Sequence, residues 1–171
     1  MKVQSDPPAT YTVEGYTSRT QDEKEEDECI ANALCILNSR LKQRPIDVPI
    51  TGPSSTVHFL RLSLAGVERE IFSVLFLDTR HRLIEFVKLF YGSIDSCNIH
   101  PREIVRMAMK LNAAAIILAH NHPSGVADAS AADINITERI KSACSFFDIR
   151  VLDHIIVGGD DFVSLAATGR M

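Results

Sequence analysis

The feature that most constrains this chain is the run Ala113-Ala-Ala-Ile-Ile-Leu-Ala119, which passes without transition into His120-Asn121-His122-Pro123-Ser124-Gly125. Seven apolar residues bounded by turn formers fit a buried strand, and Pro123 and Gly125 force the chain out of it. In extended backbone, residues i and i+2 point to one side, so the imidazoles of His120 and His122 can converge on one point. Farther on, Asp133 stands in the first turn of the next helical pattern and can add an oxygen. Two neutral imidazoles and a carboxylate suit a zinc-like divalent ion and leave a fourth position for water. Plainer uses exist for the same residues. A His-x-His can hydrogen-bond a turn, and Ser130-x-x-Asp133 can form a capping box at a helix start.

A chain of 171 residues with 46% apolar content is enough for one globular domain with a sizeable core and a tail. No apolar run is long enough to span a bilayer, and the polar start Met1-Lys-Val-Gln-Ser-Asp-Pro-Pro8 lacks a signal-peptide core. A cytoplasmic protein without a membrane partner is expected. Cys29, Cys35, Cys97 and Cys144 form no Cys-x-x-Cys pair and sit in mostly apolar patterns, which predicts free, buried thiols. Residues 1–28 hold eight acids and three bases, so the remainder is close to neutral. Composition thus gives no basic face for nucleic acid, although Arg80, His81, Arg82 and Lys88 can form a local patch. No feature specifies an oligomeric state.

Residues 1–22 read as a disordered arm. Residues 23–53 read as an amphipathic helix, with Ile30, Leu34, Leu37 and Leu41 at helical spacing, followed by a linker. Ser54 and Ser55 are candidate N-caps for a helix from Thr56 to about Ala65. Then come a hairpin, Glu70–Leu77 and Leu83–Phe90, turning at Asp78–His81, and a helix opened by His100-Pro101 with Ile104, Val105, Ala108 and Leu111 on one face. His100 reads as a boundary residue. After the strand Ala114–Ala119 and its His loop, a helix from about Ala131 to Phe147 should turn Ile134, Ile140, Cys144 and Phe147 inward. Strands Arg150–Val157 and Phe162–Leu165 close the domain, giving a mixed α/β sheet with helices on its faces. Asp153-His154 reads as a packed or supporting polar pair.

The set His120, His122, Ser130 and Asp133 matches the His-x-His-x7-Ser-x2-Asp pattern of JAMM metalloproteases in type and spacing. The chain thereby resembles the JAB/MPN domain. His100-Pro-Arg-Glu103, Leu111-Asn-Ala-Ala-Ala115, the His120–Gly125 string and Asp153-His-Ile-Ile-Val-Gly158 are similar, in order and spacing, to strings of the bacterial RadC family of JAB-domain proteins. That resemblance covers residues 54–171 and implies a cytidine-deaminase-like architecture. It implies one Zn2+ per chain on His120, His122 and Asp133, and a hydrolase whose metal-activated water attacks a peptide or isopeptide amide of a peptide or protein substrate. Ser130 would donate to the oxyanion, and an upstream glutamate would act as general base. Glu70, entering an apolar strand, fits that role best. Glu85, inside the second hairpin strand, is the runner-up, and Glu103 is explained by the helix dipole. The competing readings are a nucleic-acid-processing metalloenzyme and a non-catalytic module that keeps its metal. The Pro-Cys-x-x-Cys of zinc deaminases is missing, and His120-Asn121-His122 resembles HNH nucleases in lettering only.

Overall fold

The computed structural model describes residues 21–42, 53–64, 67–92 and 98–171, side chains excepted at 21, 23, 38–42 and 53–55. The expected arm up to residue 20, the linker 43–52 and Cys97 lie outside the described residues. In chain order the elements are helices α1 (Gln21–Lys42) and α2 (Pro53–Leu64), strands β1 (Ile71–Leu77) and β2 (Leu83–Tyr91), helix α3 (Pro101–Lys110), strand β3 (Ala115–Asn121), helix α4 (Ala131–Ser145), and strands β4 (Arg150–Gly158) and β5 (Asp161–Ser164). The strands form one sheet in the order β2-β1-β3-β4-β5. Its β3–β4 pair is parallel and the others antiparallel, so the fold is the expected α/β type with a mixed, helix-flanked sheet of JAB/MPN-like form.

Strand β3 is buried at every position, because β1 and β4 pair with its edges and helices cover both faces. Its odd-numbered residues Ala115, Ile117 and Ala119 join a cluster with Val57, Phe59, Leu60 and Leu64 of α2. Its even-numbered residues Ile116 and Leu118 join Ile104, Val105 and Ala108 of α3 and Ile140 and Cys144 of α4. Period-two alternation thus assigns one pair of helices to each side. Parallel pairing of β3 with β4 requires a crossover, which α4 supplies. The start of α4 consequently lies just past the end of β3.

Several expectations change. Strand β3 runs on to Asn121, so His120 belongs to the strand rather than to the loop after it. Helix α2 begins at Pro53, a residue suited to a first helical turn. Ser54 and Ser55 therefore lie within that turn and not ahead of it. Helix α4 stops at Ser145, leaving Phe147 half exposed, and its buried stripe is Asp133, Thr137, Ile140 and Cys144. The stripe carries a carboxylate and a hydroxyl because the first half of α4 faces polar ring nitrogens instead of hydrocarbon. Among the described side chains of α1, Leu34 and Leu37 pack partly on the core, and Ile30 is exposed. Cys29 and Cys35 are exposed too, against expectation, while Cys144 is fully buried.

Burial pushes the Cys144 thiol up to about 11, and only the thiolate attacks disulfide reagents. In native protein near neutral pH, site-resolved mass spectrometry should find Cys29 and Cys35 labelled by Ellman's reagent and Cys144 labelled only after unfolding. Native labelling of Cys144 at the rate of Cys35 would show that α4 does not pack as described.

Candidate metal centre

His120 follows Ile116 and Leu118 onto the α4 side of the sheet, where it is 1% exposed. Phe72 pairs with it across β1–β3, and the two rings lie 13° from parallel with centroids 6.0 Å apart. His122 is one residue past the strand, yet its backbone N–H still donates to Val157 O at 2.8 Å. That bond prolongs the β3–β4 ladder, so His122 keeps the facing of His120. Its Nδ1 lies 2.8 Å from Val126 O, and because a carbonyl only accepts, Nδ1 carries the proton. A lone pair is left on Nε2, which lies 2.9 Å from His120 Nε2.

Asp133 arrives from the third position of α4 in a complete capping box. The Ser130 backbone N–H and hydroxyl donate to Asp133 Oδ2 at 2.8 and 2.6 Å, and the Asp133 N–H donates back to Ser130 Oγ at 3.2 Å. The capping and metal-ligand readings of this residue coexist, since Oδ1 stays 3.2 Å from His120 Nε2. Burial alone would raise the Asp133 carboxyl, but the adjoining His120 and the two Ser130 donors outweigh it and hold the group far below the ordinary carboxylate range. It remains an anion.

One donor atom each from His120, His122 and Asp133 lies within 4.8 Å of the others. A lone pair and an anionic carboxylate, aimed at one sheltered spot, suit a cation, and two nitrogens with an oxygen match a divalent transition ion. The three residues can therefore hold a metal ion. His154 does not join them. It is fully buried behind the cluster, its Nε2 2.8 Å from His120 Nδ1 and its Nδ1 2.6 Å from Thr137 Oγ1. Burial holds its pKa well below the ordinary imidazole range. Asp153 instead ties down the C-terminal turn, accepting from the backbone of His154 and Ala166 and from the Ser164 hydroxyl.

Glu70 directly precedes β1, and its side chain is half-buried. Extending the Phe72–His120 register by two residues sets Glu70 opposite His122. Glu85 is paired with Phe76, four residues along β1 from Phe72, about 13 Å at the usual strand rise. Register thus sets Glu70 at the His122 end of β3 and Glu85 toward the other end of the sheet.

Asn121, Thr137 and His154 are the residues whose part here sequence patterns undervalue. Between the two histidines, Asn121 points to the opposite face, where it accepts from Ile71 N at 2.8 Å and donates to Arg69 O at 3.0 Å. It grips the chain on both sides of Glu70. An Asn between two histidines marks the position in sequence, but its partners lie some fifty residues away. On its side a groove of about 390 Å3 opens beside His122, lined also by Arg61, Leu64, Val67 and Glu68.

Fold and donor set together define a JAB/MPN-like α/β domain with a triad able to bind metal. The family model of the RadC-like JAB domain matches residues 50–170, more than half of the chain. The chain belongs to that family, and the domain with its possible His/His/Asp metal site fits a JAB-family hydrolase or metal-binding module.

Gly158, ending β4, touches the loop that holds His122. A Cβ on it would stand 2.5 Å from Ala127 N and 2.6 Å from Val126 C. Gly158→Ala should therefore destabilise the metal-free protein by about 1–3 kcal/mol, as overpacking does. It should also weaken metal binding, because Val126 O moves with the loop. Thermal unfolding and metal titration of a folded variant check both, and unchanged affinity would uncouple the loop from His122.

Proposed function

We propose that this protein is a zinc-dependent amide hydrolase of the JAMM type, acting on peptide or isopeptide bonds. The observation that carries the reading is the convergence of His120, His122 and Asp133 within 4.8 Å, and the reading assigns Glu70, just ahead of β1, to the position opposite His122 that the β1–β3 register reaches when continued by two residues. Zinc suits two imidazoles and a carboxylate, and three protein donors leave room for catalysis. When bound, the ion supplies Lewis acidity and a water whose pKa is lowered to about 7.

In this reading Glu70 takes the proton of the attacking water and returns it to the leaving amine. Asn121 positions that carboxylate by fastening Arg69 and Ile71. Ser130 donates its hydroxyl to the oxyanion, giving up the bond it makes to Asp133 Oδ2 at 2.6 Å. The substrate of this reading is a peptide or protein chain. A cytoplasmic setting belongs to the proposal and agrees with the free thiols of Cys29, Cys35 and Cys144. Among the described residues no helix is long and apolar enough to cross a membrane. The nucleic-acid reading has less support, since Arg82 is ion-paired to Asp78 and Lys88 is half-buried.

The test is metal content together with cleavage of peptide, isopeptide and DNA panels. The parent should carry one zinc per chain and cleave an amide substrate, and the His120→Ala, His122→Ala double variant should lose both. Glu70→Gln should keep metal and fold but lose hydrolysis, because an amide cannot accept the water's proton. An active Glu70→Gln beside an inactive Glu85→Gln would transfer the base to Glu85. DNA cleavage alone would overturn the peptidase reading.

Ser130→Ala should remove a cap, at about 1 kcal/mol of stability, and an oxyanion donor, at roughly 100- to 1000-fold in kcat. Denaturant unfolding and turnover measured on one preparation separate the effects. Unchanged kcat would leave Ser130 a helix cap only.

A further inference from the structure

We propose that Thr137 and His154 form a positioning pair that fixes the tautomer of His120, keeping its proton on Nδ1 and presenting Nε2 to the metal position. The inference rests on the metal-centre reading and follows from counting protons along a buried chain of contacts.

The count starts at the Asp133 backbone carbonyl, which lies 2.6 Å from Thr137 Oγ1. A carbonyl oxygen has no proton to give, so the single hydroxyl proton of Thr137 points there. Thr137 Oγ1 is also 2.6 Å from His154 Nδ1, and having spent its proton it can only accept. His154 Nδ1 is therefore the donor. The two ring nitrogens of His154 face a hydroxyl and an imidazole rather than a carboxylate, and the residue is fully buried. An imidazolium is disfavoured there, so the ring carries one proton and its Nε2 bears a lone pair. Across 2.8 Å that lone pair meets His120 Nδ1, which must donate. His120 Nε2, on the far side of the ring, is then turned toward His122 and Asp133.

The two histidine donors are thus set by different means. His122 is oriented by a carbonyl of its own loop, Val126 O. His120 is oriented from α4 and β4 through a second imidazole, and the chain begins at the carbonyl of Asp133, itself a donor residue. Helix α4 consequently places the carboxylate and, one turn later, directs the proton of the neighbouring imidazole. Second partners of metal-binding histidines typically alter metal affinity about 10- to 100-fold when removed.

The test uses the full chain with Zn2+ as probe, in competition with a chromophoric chelator, and nitrogen-15 NMR of the imidazoles in metal-free protein at mildly alkaline pH. His120 should carry a proton on Nδ1 in the parent, leaving Nε2, which faces the acceptors His122 Nε2 and Asp133 Oδ1, as the nitrogen offered to Zn2+ once it is added. His154→Phe should move His120 toward Nε2–H and weaken Zn2+ about 10- to 100-fold, while His154→Gln, whose amide can accept from His120 and donate to Thr137, should restore both. Thr137→Val and Thr137→Ser supply the same contrast should the Phe variant fail to fold, Val weakening binding and Ser preserving it. Parent-like affinity and tautomer in a folded His154→Phe or Thr137→Val protein would overturn the assignment. A parent that binds no Zn2+ would sink the metal reading, whereas the tautomer would still decide this one.

Discussion

Everything in this domain depends on β3 being enclosed. Strands pair with both of its edges and helices cover both of its faces, so none of its seven residues reaches solvent freely. A strand so placed must send alternate side chains into two different interiors. Up to Ala119 both interiors are hydrocarbon, and the alternation only distributes methyl groups between α2 on one side and α3 and α4 on the other. From His120 onward the same alternation distributes polar groups. His120 and His122 enter the α4 side and Asn121 the α2 side, with no special backbone geometry required of them.

Three polar residues at a strand end create three obligations, each met by a different part of the fold. Asn121 is satisfied by the backbone leading into β1, His122 by the loop carbonyl of Val126, and His120 by His154 of β4. The loop in turn depends on the bare Cα of Gly158. These contacts orient the end of β3 while the triad faces one point, so the donor positions would be set before an ion arrived.

How much of this could be read in advance follows from the range of each interaction. The hairpin, the helix after Pro101 and the alternation of β3 are local patterns, and they appear in the structure close to their expected bounds. The His-x-His convergence is local as well, being two residues of one strand. Sequence position already favours Glu70 over Glu85, but how far each stands from the histidines turns on a register between segments fifty residues apart, which no periodicity encodes. The stripe on α4 misled for another reason: apolar spacing favours Ile134 and Phe147, whereas the helix turns Asp133 and Thr137 inward because its neighbours are imidazoles. Cys29 and Cys35 sit in an apolar-looking stretch, but among the described side chains of α1 it is Leu34 and Leu37 that press on the core. Periodicity reports that a helix has an apolar face, not how much of that face finds a partner.

The capping box of α4 has a bearing on denticity. Asp133 Oδ2 already accepts two hydrogen bonds from Ser130, so the carboxylate has one oxygen, Oδ1, left to offer on the side of His120. A free aspartate can chelate through both oxygens and crowd a coordination sphere. Here the helix cap occupies one of them, through the Ser130 backbone N–H even if the hydroxyl turns away, so an ion held at this site would meet a monodentate carboxylate. The start of a helix would thereby keep a coordination position open.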